Sequence, residues 1–153
     1  MDGSASPPRW PAYGVAVLFL GYAAGKAAFA MQGRLGFPSG PVVSAADTER
    51  YAREVMDAAT GQWLATASGV LGACIAVATV TALGRRTPRT VMLLVLVGML
   101  LAAGAGAATM IVDGFGGPGP GWQWYHGVLG IAVIGLLLAM IRSYAGAPGR
   151  VAA

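Results

Sequence analysis

Residues 90–112, TVMLLVLVGMLLAAGAGAATMIV, contain no charged side chain and no proline. The stretch matches the ~20 residues that an α-helix needs to cross ~30 Å of hydrocarbon at ~1.5 Å per residue. The bilayer core holds no water, so backbone polar groups there must bond one another, and a helix satisfies them within one segment. The stretch is therefore predicted to be a transmembrane helix.

Three further apolar segments have similar lengths. Together they give four predicted membrane spans, at about 12–32, 61–83, 90–112 and 123–142. The composition agrees, because 56% of the residues are hydrophobic, 10% are charged and the mean hydropathy is +0.65, whereas an average soluble domain carries roughly 25% charged residues. We therefore expect an all-α, integral membrane four-helix bundle over 12–144, with disordered segments at 1–11 and 145–153.

The longest predicted loop, about 33–60, carries a helix signal of its own. Ser44 and Asp47 have the spacing of a capping box, and opposite charges recur four residues apart, as in Glu49 and Arg53. We expect a short amphipathic helix here, either extending span two or lying on the membrane. The functional alternative is a docking or gating element.

The arginines predict the orientation, because short loops rich in Arg and Lys stay on the cytoplasmic side. One side would hold both termini and the second loop, with Arg9, Arg85, Arg86, Arg89, Arg142 and Arg150. The other side would hold only Arg34, Arg50 and Arg53. A multi-pass protein of the cytoplasmic (inner) membrane with both termini cytoplasmic is expected. The alternative, a cleaved signal peptide over 1–30, would leave three spans.

Reactive side chains are few, which excludes several classes of function. Cys74 is the only cysteine and His126 the only histidine, so one chain holds neither a Cys-x-x-Cys redox pair nor a bis-histidine haem site. Residues 114–119 match the dinucleotide pattern G-x-G-x-x-G, but a membrane span precedes them, so they are interpreted as a tight hairpin. The basic residues border apolar blocks, which argues against nucleic-acid binding. No cofactor, metal ligand or catalytic residue is assigned.

A cluster of polar residues is predicted at the outer ends of the spans. Lys26 lies six residues before Gln32, ~9 Å along the helix axis, where a charge facing lipid costs ~2.5–3.5 kcal/mol or more. Its side chain leans toward the helix N-terminus, away from the nearer surface, so we expect it to turn inward. The other members are Asp57, Asp113 and His126. An ion pair between Lys26 and Asp113 is the structural interpretation, and a binding or proton-handling site is the functional one.

Small residues at four-residue spacing predict close approach of helices. The positions singled out are Gly21, Gly25, Ser68, Gly72, Ala102 and Gly106. Packing within one bundle is the first expectation, and contact between copies of the chain is the alternative.

The four-span plan and three stretches, GYAAGK at 21–26, GRLGFP at 33–38 and WQWYHG at 122–127, are similar to small uncharacterised four-span membrane proteins of high-G+C bacteria. That resemblance implies a fold and transfers no activity and no site residue.

The shortage of reactive groups and the surplus of small residues predict a non-enzymatic accessory, assembly or interaction subunit. Its partners would be the lipid bilayer and either a membrane protein or a second copy of the chain. One alternative is a small oligomeric transporter or channel that uses the polar cluster. The other is an enzyme acting on a lipid or quinone.

Overall fold

The protein is described by a computed structural model that covers residues 7–37, 39–117 and 121–147. Within these ranges the chain is helical and has no strand. The helices are α1 (Trp10–Met31), α2 (Ala45–Glu54), α3 (Ala58–Ala78), α4 (Ala82–Arg86), α5 (Arg89–Gly116) and α6 (Trp124–Ala145). Four of them, α1, α3, α5 and α6, are long and apolar enough to cross a membrane. The predicted all-α membrane protein with four spans is therefore confirmed.

The four long helices form two antiparallel pairs. α1 packs on α3 and α5 packs on α6, and contact between α1 and α6 joins the pairs. At the end where α1 begins and α6 ends, called here the termini end, all four helices share one core. Its buried members include Val15, Ala76, Leu96 and Leu137. This shared core holds the two pairs together.

At the opposite end, called here the loop end, the buried side chains belong to one pair or the other. On α1 and α3 the buried residues are Ala23, Ala30, Ala58, Gln62 and Gly69. On α5 and α6 they are Ala107, His126, Gly127 and Gly130. The polar residues of the predicted cluster therefore lie where the two pairs have separate interiors.

The predicted short helix in the first loop is present as α2. Ser44 is its N-cap, accepting a hydrogen bond from the Asp47 N–H at 3.1 Å and donating one to the Asp47 carboxylate at 2.7 Å. No residue of α2 is buried. The helix ends at Glu54, where Val55 leaves the helical conformation, and Asp57 then begins α3 as a new N-cap.

Two span boundaries differ from the hydropathy prediction. α3 ends at Ala78, where the Thr79 hydroxyl donates to the Ala76 carbonyl at 2.6 Å and the chain turns into α4. α5 continues to Gly116, beyond the predicted end at 112, so the first part of the predicted hairpin is helical. Gly117 then ends the helix with φ of 76°, a conformation that glycine adopts without strain.

The predicted disordered segments lie largely outside the described residues. Helix α1 begins at Trp10, and α6 ends at Ala145. Residues 1–6 and 148–153 are not described.

Candidate functional site

The four predicted polar residues lie at the loop end of four different helices. Lys26 is in the last turns of α1, Asp57 caps α3, Asp113 is in the last turn of α5, and His126 is in the first turn of α6. Within the described residues, no hydrogen bond or ion pair joins any two of them. The topology therefore places them at one end, and each has its own surroundings.

Lys26 is half-buried and holds the first loop. Its Nζ donates a hydrogen bond to the backbone carbonyl of Gly36 at 2.8 Å. This carbonyl lies ten residues further along the chain, after the end of α1. The ammonium group has a partner inside the protein, which agrees with its expected inward orientation.

Gln62 shares that carbonyl and adds another. It is 2% exposed, and its Nε2 donates to the carbonyl oxygen of Gly36 at 2.9 Å and to that of Arg34 at 3.0 Å. Lys26 from α1 and Gln62 from α3 thus bind the same loop oxygen from two helices. We call Lys26, Gln62 and the 34–36 backbone the loop clamp.

Two aromatic rings complete the surroundings of the ammonium group. Lys26 Nζ lies 5.6 Å from the centroid of the Tyr22 ring and 5.9 Å from that of Phe37. These two rings stack on each other at 5.9 Å with planes 20° apart. The negative face of an aromatic ring attracts a cation within about 6 Å of its centroid, so both rings stabilise the charge.

The backbone of the clamp requires glycine at one position. Gly36 has φ of 122°, which side-chain-bearing residues rarely adopt. A Cβ there would also lie 3.2 Å from the Phe29 ring. Glycine at position 36 allows the loop conformation in which its carbonyl accepts from both Lys26 and Gln62.

The expected ion pair between Lys26 and Asp113 is not formed. The ion pairs among the described residues are Arg50–Asp47 and Arg53–Glu49, both on α2 and both exposed. The physical reason is the packing order, because α1 packs on α3 and α6 whereas α5 packs chiefly on α6. Asp113 is half-buried on a helix that is not the main neighbour of α1.

Asp57 acts as a helix cap. Its carboxylate accepts a hydrogen bond from the Thr60 N–H at 3.0 Å. The hydrogen bonds from Thr60 hold the pKa of the Asp57 carboxyl below its usual range. The side chain is exposed, and its role is to satisfy a free N–H at the start of α3.

His126 is the most deeply buried of the four, at 1% exposure. Its Nδ1 accepts a hydrogen bond from the Gln123 N–H at 3.0 Å. Its Nε2 is buried, and no described residue supplies it with a partner. The ring is 4.9 Å from the Trp122 ring, edge-on, and 4.3 Å from the Tyr125 ring.

Glycines let α5 approach α6 closely beside His126. A Cβ on Gly114 would lie 2.8 Å from the backbone nitrogen of Gly127. A Cβ on Gly130 would lie 2.6 Å from the carbonyl oxygen of Ala107. The backbones therefore touch at these positions, and His126 enters a tightly packed part of the pair.

The predicted packing residues differ in burial. Gly72 is buried, and a Cβ there would overlap the Phe19 ring of α1, so it permits the α1–α3 contact. Gly25 is half-buried. The others, Gly21, Ser68, Ala102 and Gly106, are exposed. Close approach at those four positions would involve a helix of another chain, which stays a prediction.

The acceptor of the loop clamp was not predicted from the sequence. Its second donor, Gln62, is visible there as an amide at the start of the second apolar span. The acceptor is a backbone carbonyl, and no residue type encodes it except the glycine that allows its conformation. Tyr22 lies four residues before Lys26, a spacing that places both on one helix face, whereas no spacing places the Phe37 ring of the loop beside Lys26.

No protein family matches this chain, and no curated protein or solved structure matches it either.

Proposed function

We propose that the chain is a non-enzymatic subunit that binds another membrane protein through the exposed face of α5. The observation that carries this proposal is a row of small residues on that face. Gly98, Ala102 and Gly106 follow one another at four-residue spacing, and all three are exposed. Nothing lies within 4 Å of a Cβ built on Gly98 or Gly106.

Small residues on a lipid-facing surface favour helix association. Lipid tails are as apolar as leucine, so membrane helices associate through close packing, and small side chains let their backbones approach. On α5 the small row is not used by the chain's own helices, since α5 packs on α6 through a different side that includes Ala107. A helix of a partner protein would fill it.

The polar residues support the same proposal. Lys26 and Asp57 bond groups of their own chain, in the loop clamp and in the α3 cap. Neither is free to act on a substrate in this arrangement. An accessory subunit needs a stable fold and an exposed surface for its partner. Lys26 and Asp57 stabilise the fold, and the α5 face provides the surface.

The proposal places the protein in the cytoplasmic membrane with the termini end inside. Arginines are concentrated at that end, and the positive-inside rule assigns it to the cytoplasm. Among the described residues the termini end carries Arg9, Arg85, Arg86, Arg89 and Arg142. The loop end, with the loop clamp and His126, would face outward.

Purification of the tagged chain from native membranes in mild detergent tests the proposal. A membrane protein retained with wild type should be lost from the Gly98→Leu and Gly106→Leu variants. Gly135→Leu on α6 is the matched control, because Gly135 is also exposed with nothing within 4 Å of its Cβ position. All three changes raise helix propensity, so folding is preserved.

Two results would contradict the proposal. One is a retained partner that binds both α5 variants as well as wild type. The other is retention of only a second copy of the same chain, which would make the α5 face a contact between copies.

A further inference from the structure

Exposed arginines of three different helices lie at the termini end. Arg85 and Arg86 are the last residues of α4, Arg89 is the first of α5, and Arg142 is in the last turn of α6. All of these side chains are exposed. We call the four residues the arginine patch.

Two hydrogen bonds join the helices that carry the patch. The Arg89 guanidinium donates to the carbonyl of Ala145, which lies about one turn beyond Arg142 on α6. The Tyr144 hydroxyl of α6 donates to the carbonyl of Gly84 in α4 at 3.3 Å. The ends of α4, α5 and α6 are therefore held together, and their arginines belong to one surface.

The short helix α4 is also packed closely on the end of α3. Gly84 is buried, and a Cβ there would overlap the carbonyl of Ala78. Together with the two hydrogen bonds, this contact fixes the backbone of the patch. A ligand that binds there has little backbone to order, which lowers the entropic cost of binding.

No carboxylate lies beside the patch in the part of the chain that the structure describes. The described acidic residues all belong to the loop end, and they are Asp47, Glu49, Glu54, Asp57 and Asp113. Within the same residues, the side chains of Arg85, Arg86 and Arg142 have no hydrogen-bond or ion-pair partner. Acceptors for these guanidinium groups come from outside the described chain.

The guanidinium group is suited to phosphate. Its planar set of N–H donors matches two oxygens of one phosphate, and it is less strongly hydrated than an ammonium group. The positive-inside rule accounts for arginines on one side of the membrane. It does not require that the arginines of three helices be held in one surface without a carboxylate.

Apolar side chains next to the patch favour a lipid over a soluble anion. Leu83 of α4 and Val91 and Leu94 of α5 are exposed. At the same end, the exposed rings of Trp10 and Tyr13 mark the headgroup level of the bilayer. A phospholipid has its phosphate at this level and its acyl chains below it, so one molecule can contact both the arginines and the apolar side chains.

We propose that the arginine patch binds the phosphate of an anionic glycerophospholipid whose acyl chains lie along α4 and α5. No covalent bond is made or broken in this role. The patch lies at the termini end, whereas the small residues of the α5 face lie in the middle of that helix. Either proposal can therefore fail without the other.

Native mass spectrometry of the full chain in detergent tests the proposal, because it resolves bound lipids and gives their dissociation constants. The probes are dioleoyl phosphatidylglycerol and dioleoyl phosphatidylcholine, which have the same acyl chains and differ in net charge. We expect wild type to bind phosphatidylglycerol more tightly by at least about tenfold. Equal affinity for the two lipids would overturn the proposal.

A double variant locates the lipid at the patch. Arg85→Gln combined with Arg86→Gln removes two charges and no hydrogen bond among the described residues. Each arginine contributes about 1 kcal/mol near an anionic lipid surface, so the dissociation constant for phosphatidylglycerol should rise about fivefold for each change, or about 25-fold for both.

The matched control is Arg50→Gln combined with Arg53→Gln, which makes the same change in net charge at exposed arginines of the loop end. We expect this control to bind phosphatidylglycerol as wild type does. Equal weakening in the two double variants would show that overall charge attracts the lipid, and would refute the patch as its site.

Two further arms complete the test. Glycerophosphoglycerol, the same headgroup without acyl chains, should not displace an equal concentration of phosphatidylglycerol from wild type. Displacement would assign the patch to a soluble anion and overturn the lipid proposal. If the α4 double variant does not fold, Arg142→Gln is compared with Arg50→Gln, and a loss of about fivefold in Arg142→Gln alone is expected. Equal binding by these two single variants would refute the proposal.

Discussion

Replacing Gln62 with methionine should loosen the first loop at the loop clamp. Methionine has nearly the same length as glutamine but donates no hydrogen bond. The change removes two bonds, from Nε2 to the carbonyls of Gly36 and Arg34, at 2.9 Å and 3.0 Å. At about 0.5–1.5 kcal/mol for each bond, the loss in stability is about 1–3 kcal/mol.

The structure places the expected value near the middle of this range. The Gly36 carbonyl keeps its bond from Lys26 at 2.8 Å, so it does not become an unpaired buried group. Arg34 is exposed, so water can replace the hydrogen bond that its carbonyl loses from Gln62. We therefore expect about 2 kcal/mol, which multiplies the equilibrium constant for loop opening by about thirty.

Limited trypsin digestion measures that opening. Cleavage of a transiently opened segment follows the population of its open form when closing is fast. Cutting after Arg34 should accelerate by about thirtyfold in Gln62→Met, whereas cutting after Arg86 at the termini end should not change. Ser68→Ala is the control, because Ser68 is exposed on the same helix and its hydroxyl bonds only the Ala65 carbonyl. Equal cleavage after Arg34 in Gln62→Met and Ser68→Ala would refute the loop clamp.

Three further experiments test other contacts. In double-mutant cycles of sodium dodecyl sulfate unfolding, the losses in unfolding free energy from Lys26→Met and Asp113→Asn should add within about 0.5 kcal/mol. If the double variant is clearly more stable than that sum, the two side chains interact as the ion pair first expected. The folded pKa of Asp57 lies below the unfolded value, so the stability it contributes is full above about pH 3.9 and is lost as the pH falls through the folded pKa. Asp57→Asn keeps the cap and should flatten that acid-side loss in a pH series, and an unchanged profile would count against the cap. Gly72→Ala should cost about 1–3 kcal/mol by overpacking the α1–α3 contact, while Gly106→Ala should not destabilise, as thermal melts of both would show.

The number and approximate positions of the spans were predictable because every residue of a span must be compatible with hydrocarbon and have its backbone groups bonded within the helix. The α2 helix was predictable too, since the Ser44 cap and the charge spacing are local. The break after Ala78 was not, because Thr79, Val80 and Thr81 do not interrupt hydropathy. There, the hydroxyls of Thr79 and Thr81 donate to the carbonyls of Ala76 and Ala78, and Thr81 has an extended backbone before α4.

The partners of the polar residues were harder to predict than the spans. Lys26 and Asp113 were expected to pair only because they lie at the same depth in the membrane. Depth does not determine which helices are neighbours. The two-pair arrangement separates these residues, and a backbone carbonyl at Gly36 replaces the carboxylate. A carbonyl exists at every residue, so only the fold determines which one is presented.

Membrane-impermeant maleimide labelling of single cysteines tests the four-span arrangement most directly. With Cys74 replaced by alanine, the chain has no other thiol. Cysteines at Ser44 and Thr87 should react from opposite sides of intact membrane vesicles, and a cysteine at Leu101, in the middle of α5, should not react from either. Labelling of the first two from the same side, or ready labelling at position 101, would contradict four membrane-spanning helices.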